Sequence, residues 1–68
     1  MRLKMLRKKL GISQLKLAME LNMSQNTISR YETGERDPGI NELIKIADYF
    51  NISIDYLLER TQNPTINK

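Results

Sequence analysis

The sequence predicts an all-α fold of five short helices around one small core, on three grounds. Apolar residues recur at spacings of three and four nearly everywhere. Most of the segments they define are bracketed by serine, glycine or asparagine, the residues that start and stop helices. The β-branched residues are scattered, so no alternating strand pattern competes. Helices this short are unstable alone, and their apolar stripes must therefore converge on a common core.

The first helix carries Leu3, Leu6 and Leu10 as one stripe, and Gly11 ends it as a C-terminal glycine does. Ser13 caps the second, Gln14 to Leu21, in which Leu17, Ala18 and Leu21 share a face. Asn22 stands where a left-handed residue would close that helix, and asparagine tolerates this best after glycine. Ser24 caps the third helix, Gln25 to about Glu32, with Ile28 and Tyr31 facing inward. Thr33 to Gly39 reads as a loop, marked by two glycines and a proline. A fourth helix, roughly Ile40 to Phe50, shows the cleanest stripe in Leu43, Ile46, Ala47 and Phe50. Ser53 then caps a fifth, Ile54 to Glu59. The polar tail from Thr61 contains Pro64 and is expected to be flexible, which divides the chain into a folded domain, 1–60, and a tail, 61–68.

Sixty-eight residues make a single domain with a modest core. The absence of cysteine excludes a disulfide framework, and with histidine absent too no zinc staple or other cofactor is expected. No apolar run approaches a membrane span, and the basic start lacks the apolar stretch of a secretion signal, so a cytoplasmic location is the default expectation. The sequence also reads as a non-enzyme without an evident small-molecule effector site. It has no phosphate-cradling glycine loop and no paired carboxylates, and Ser13, Ser24 and Ser53 look like caps with no base to activate them.

The net charge of +3 is unevenly spread. Residues 1–10 hold five bases and no acid, residues 11–36 are balanced, and residues 37–60 carry −3. One end of the chain suits a polyanion, and the other resembles an ordinary solvated surface.

Residues 14–33 are the informative segment. Two helices of about eight residues are joined by a tight turn, Asn22-Met23-Ser24, and the small Ala18 lies where the second must cross closely. Leu17, Leu21, Met23, Ile28 and Tyr31 can fix the crossing angle. What this packing leaves outside on the third helix is Gln25, Asn26, Thr27, Ser29 and Arg30, with no acid before Glu32. Amides can bond the N6/N7 edge of adenine, and arginine the O6/N7 edge of guanine. A carboxylate there would repel phosphates. The four aromatics, Tyr31, Tyr49, Phe50 and Tyr56, lie mostly on apolar stripes, which disfavours stacking on single-stranded RNA.

Together these residues resemble the Cro/repressor (XRE-type) helix-turn-helix family, the phage-repressor-like regulators of bacteria. The resemblance covers about residues 2–58. Its carriers are Arg2-Leu3-Lys4 with Leu6-Arg7, then Gly11-Ile12-Ser13-Gln14, and Ser24 with Ile28-Ser29-Arg30-Tyr31-Glu32 and Gly34. Pro38, Glu42-Leu43-Ile44-Lys45-Ile46-Ala47 and Ile52-Ser53-Ile54-Asp55-Tyr56-Leu57-Leu58 complete the pattern.

The resemblance implies a five-helix, lambda-repressor-like domain and a transcriptional regulator of double-stranded DNA, in its simplest form a repressor. Gln25 and Asn26 would be the main base readers, with Ser29 and Arg30 further along the groove. Ser13, Gln14, Ser24 and Thr27 would lie on the phosphate side, as would Thr33, Gly34 and Arg36 in the following loop. Arg7 and Glu32 would form a structural ion pair. One such domain covers little DNA, so a homodimer on an inverted repeat is expected, with Tyr49, Ile54 and Leu58 as candidate contacts. With no room for a sensor domain, control is expected from concentration, a partner or operator competition. Three departures stand out: Met5, Leu15 and Met19 occupy positions where relatives mostly place charge. Leu15 and Met19, four apart, either extend the core or form a patch for a protein partner. That patch favours the alternative reading, a protein-interaction module such as an antitoxin or co-regulator.

Overall fold

The computed structural model describes residues 1–65, which contain five α-helices and no strand. These are α1 (Leu3–Leu10), α2 (Gln14–Leu21), α3 (Gln25–Thr33), α4 (Ile40–Phe50) and α5 (Ile54–Leu57). The predicted caps set the boundaries. Ser13, Ser24 and Ser53 sit in extended backbone, and each hydroxyl accepts the N–H three residues on, from Lys16, Thr27 and Tyr56. That satisfies one of the orphan donors every helix leaves at its start. Asn22 closes α2 in the left-handed region at φ 56°, as expected. Asn51 does the same for α4 at φ 55°, closing it after Phe50 where the sequence reading ended the helix without naming a stop residue.

Each helix contributes one side chain to the fully buried centre: Leu3, Leu17, Ile28, Ile46 and Leu57. Burial of each such side chain stabilises by about 1.5–3 kcal/mol before conformational entropy is set against it. Leu6, Ala18, Leu21, Tyr31, Ala47 and Ile52 surround them. The Cα radius of gyration, 11.1 Å, matches the value of about 11 Å expected for a compact chain of this length. Among the described residues, no helix is long and apolar enough to cross a membrane.

The structure departs from the expected elements in two places. Leu10 is 55% exposed rather than in the stripe. It is the last residue of α1, Gly11 turns the chain at φ 71°, and the half-buried Ile12 takes over the packing. Helix α5 ends at Leu57, two residues early, because Glu59 turns left-handed at φ 64°. Arg2 takes up carbonyls left at that end: its backbone N–H bonds Leu57 O at 2.8 Å and its Nε bonds Tyr56 O at 2.9 Å.

The described part of the tail makes specific contacts with the body. Arg2 Nη2 donates to Thr61 O at 3.2 Å and Gln62 Oε1 at 3.1 Å, and Ser53 N–H to Pro64 O at 2.9 Å. Residues 61–65 are thereby fastened to the body, with the Arg2 guanidinium 4.4 Å from the Tyr56 ring centroid. Positions 66–68 of that tail lie outside the described residues.

Candidate nucleic-acid interface

Helices α2 and α3 pack on each other more extensively than any other pair. The reason is local. Ala18, 1% exposed, presents only a methyl group at the crossing, and its carbonyl accepts the Met23 N–H at 2.8 Å. The turn is thus closed by the αL residue Asn22 and by a backbone bond across it. Rigid joining of the two helices follows from these two features.

The outer face of α3 matches the expectation at Gln25, Asn26 and Arg30, whereas Thr27 is half-buried and hydrogen-bonded. Gln25, Asn26 and Arg30 are exposed, and Ser29 is half-buried beside them. Among the described residues, no hydrogen bond engages the side chain of any of these four. The other polar groups of the segment are occupied. Ser24 Oγ accepts Thr27 N–H at 3.1 Å and lies 2.8 Å from Thr27 Oγ1. Thr33 Oγ1 donates to Arg30 O at 3.2 Å. The loop beyond is wound onto the same carbonyl, which also accepts the Glu35 and Arg36 N–H groups at 3.0 and 3.3 Å. Gly34, at φ 83°, makes this reversal possible. Arg36 is exposed.

A polar network under this face holds it in place. Arg7 Nε and Nη2 donate to the two carboxylate oxygens of Glu32 at 2.6 and 3.1 Å, and Gln14 Nε2 donates to Glu32 Oε1 at 3.0 Å. Arg7 Nη1 also donates to Ile12 O at 2.9 Å, so the junctions of α1, α2 and α3 share one cluster. Burial alone would push the Glu32 carboxyl up. The bonds from Arg7 and Gln14, with the attraction of Arg7 and Lys4, outweigh it and hold the group below its ordinary value. The expected Arg7–Glu32 pair is therefore formed, and Gln14 joins it as a third member.

Over residues 3–57 the sequence matches the profile of a family described as helix-turn-helix. The chain belongs to the helix-turn-helix family. The HTH-type transcriptional regulator ImmR of Bacillus subtilis (strain 168) is 41% identical over 61 residues, covering 90% of this chain and 48% of ImmR. The cryptic phage CTXphi transcriptional repressor RstR of Vibrio cholerae is 41% identical over 54 residues, 79% of this chain and 48% of RstR. The uncharacterized HTH-type transcriptional regulator YqaE of Bacillus subtilis (strain 168) is 33% identical over 64 residues, 94% of this chain and 55% of YqaE. The chain spans about half the length of the curated relatives it matches. No solved structure gives a significant match.

The helix-turn-helix assignment fits the five helices observed. The structure also places residues beyond it. Leu15 and Met19 are 53% and 70% exposed, so they do not extend the core, and Met5 is 43% exposed. Tyr49 is exposed, with its ring edge-on to Phe50 at 5.1 Å, while Ile54 and Leu58 are half-buried. Ile40 and Ile44, one turn apart on α4, are 64% and 44% exposed. Sequence reasoning passed over this pair because the stronger stripe of Leu43, Ile46, Ala47 and Phe50 accounted for the helix. A count of the apolar residues left over on α4 would have found it.

Proposed function

We propose that this chain is the DNA-reading part of a transcriptional regulator, and that α3 enters the major groove N-terminus first while α2 crosses the phosphate backbone. The observation that carries this reading is the outer face of α3. Gln25, Asn26, Ser29 and Arg30 stand together on one helix, without side-chain hydrogen bonds among the described residues and without a carboxylate among them. In this reading Gln25 and Asn26 choose bases, with Ser29 and Arg30 further along. Ser13, Gln14, Ser24 and Thr27 lie toward the phosphates, as do Thr33, Gly34 and Arg36. Phosphate contacts supply position and much of the affinity, and base contacts supply about 1–3 kcal/mol of discrimination each. The names of ImmR and RstR, a regulator and a repressor, support regulation of transcription, with repression by occupancy as the simplest form.

Two copies are needed for a selective site. We assign the homodimer contact to Tyr49, Ile54 and Leu58, whose incomplete burial leaves apolar surface on α4 and α5. The half-sites would then lie about 34 Å apart. A monomer in sedimentation, even on its operator, would refute this assignment.

The deciding experiment is selection of bound sites from random DNA, repeated with Gln25→Ala and Asn26→Ala. Those variants should relax base preference while keeping nonspecific affinity, whereas Gln14→Ala or Arg36→Ala should weaken all sites evenly. Unchanged preference in both α3 variants would remove the reading. The exposure of Leu15 and Met19 favours a second role, a protein contact on α2 away from the core. If the chain is only such a module, its binding to DNA will show no steep dependence on salt.

A further inference from the structure

Residues 1–10 carry five cationic side chains, and the fold puts them to different uses. Arg2 is committed to the end of α5 and to the tail, and Arg7 to Glu32 and Ile12 O. Lys4, Lys8 and Lys9 are exposed, and none of them forms an ion pair among the described residues. These three do not share a face. Lys4 and Lys8 are four apart on α1 and stack along one side, whereas Lys8 and Lys9 are adjacent and diverge.

The two sides look onto different parts of the molecule. Lys4 precedes Arg7 by three residues, and Arg7 reaches the last turn of α3. The Lys4 ammonium is near enough to contribute to the field at Glu32. Lys9 instead lines a groove of about 330 Å³ with Leu6, Phe50, Ile52, Tyr56 and Pro64. Phe50 closes α4 and Tyr56 lies in α5, so the groove is on the side of those two helices. Lys9 thus belongs to that groove, while Lys4 lies one turn from Arg7 on the side of α1 that meets α3.

We infer that Lys4 and Lys8 form a second row of phosphate contacts, extending the DNA-facing surface along α1 beside the final turn of α3. The inference rests on the DNA reading above and adds residues that the base-reading and loop positions do not include. Ammonium groups on flexible stems act as point charges, so the row contributes affinity without sequence preference.

A fluorescein-labelled duplex of 30 base pairs and random sequence tests it, by anisotropy across KCl concentrations from 50 to 200 mM. The slope of log affinity against log salt reports the phosphates engaged, at about 0.9 each. Replacing both residues, Lys4→Gln with Lys8→Gln, should flatten the slope by about 1.8 and spare about 12-fold of the affinity lost over that range. Lys9→Gln with Lys45→Gln removes the same net charge elsewhere and should leave the slope unchanged. Equal slopes for the two double variants would overturn the row, because charge would then act only through its total. A flat slope for the unsubstituted chain would refute the DNA reading itself, and that chain alone tells the two failures apart.

Discussion

Replacing Glu32 with alanine removes the acceptor of two hydrogen bonds from Arg7 and one from Gln14. The Glu32 side chain is 2% exposed and that of Arg7 11%, so little water reaches the intact pair. The small values typical of surface ion pairs therefore do not apply. Leaving one member of a buried pair alone costs about 3–5 kcal/mol. The whole chain, at about 0.05–0.15 kcal/mol per residue, is stable by only about 3–10 kcal/mol. Glu32→Ala should therefore remove a large part of the stability, and Arg7→Ala a similar part by stranding the carboxylate. Substituting both by apolar residues of similar size, Arg7→Met with Glu32→Leu, should cost much less than the sum of the two apolar single variants. Urea denaturation followed by circular dichroism on the four proteins of that apolar cycle gives the coupling energy, expected at about 2–3 kcal/mol. Additivity within about 0.5 kcal/mol would show that the pair does not act as a unit, and the account of how α1 holds α3 would fail.

Acid should act through the same cluster. The folded Glu32 carboxyl lies below its unfolded value of about 4.3, so its contribution is present above that pH and is lost as pH falls through the folded value. Glu59 adds in the same direction, because the hydrogen bond from the amino terminus of Met1 lowers it. Thermal melts from pH 7 to pH 3 should show the midpoint falling on the acid side, and Glu32→Gln should flatten that fall; an unaltered profile would contradict the assignment. Ala18→Leu should cost about 1–3 kcal/mol by overpacking the α2–α3 crossing, and should weaken DNA binding more than its stability loss explains. Native stability and native affinity in that variant would show that the crossing is not tight. Arg2→Ala should raise amide exchange at Ser53 and Arg60, next to the tail and the end of α5, and leave α2 and α3 protected. Uniform loss of protection would instead mean that Arg2 supports the whole core.

The helices and the reading face were legible because both depend on local rules. A serine before an apolar run predicts a cap whatever surrounds it, and all three such serines act as caps. The face of α3 was legible for a related reason: once Ile28 and Tyr31 are assigned inward, helical geometry sends the remaining residues outward. What escaped were the features that depend on chain ends meeting. Nothing in the local pattern says that Arg2 will find Tyr56, Thr61 and Gln62, which lie more than fifty positions away. The contacts of Arg2 with the end of α5 and with the tail depend on that meeting. Leu10 escaped because a stripe predicts direction and not whether a neighbour exists to cover its last residue.

The polar residues of the motif divide into two sets, and the division has a thermodynamic consequence. Ser24, Thr27, Glu32 and Thr33 spend their hydrogen bonds inside the fold, fixing both ends of α3. Gln25, Asn26, Ser29 and Arg30 are left to their own rotamers, so within α3 it is those side chains that binding must order. That ordering costs about 0.5–1.5 kcal/mol per side chain, against about 1–3 kcal/mol of discrimination from each good base contact. A net gain survives only because the helix itself is already rigid. Substitutions in the second set should then change site choice while altering stability by less than about 0.5 kcal/mol. Substitutions in the first set should lower stability and affinity together, without changing which site is preferred. Parallel urea titrations and site selections on Gln25→Ala and Thr27→Ala separate the two behaviours. If Gln25→Ala destabilised the fold as much as Thr27→Ala, its side chain would have a structural task, and the face it belongs to would not be free to read.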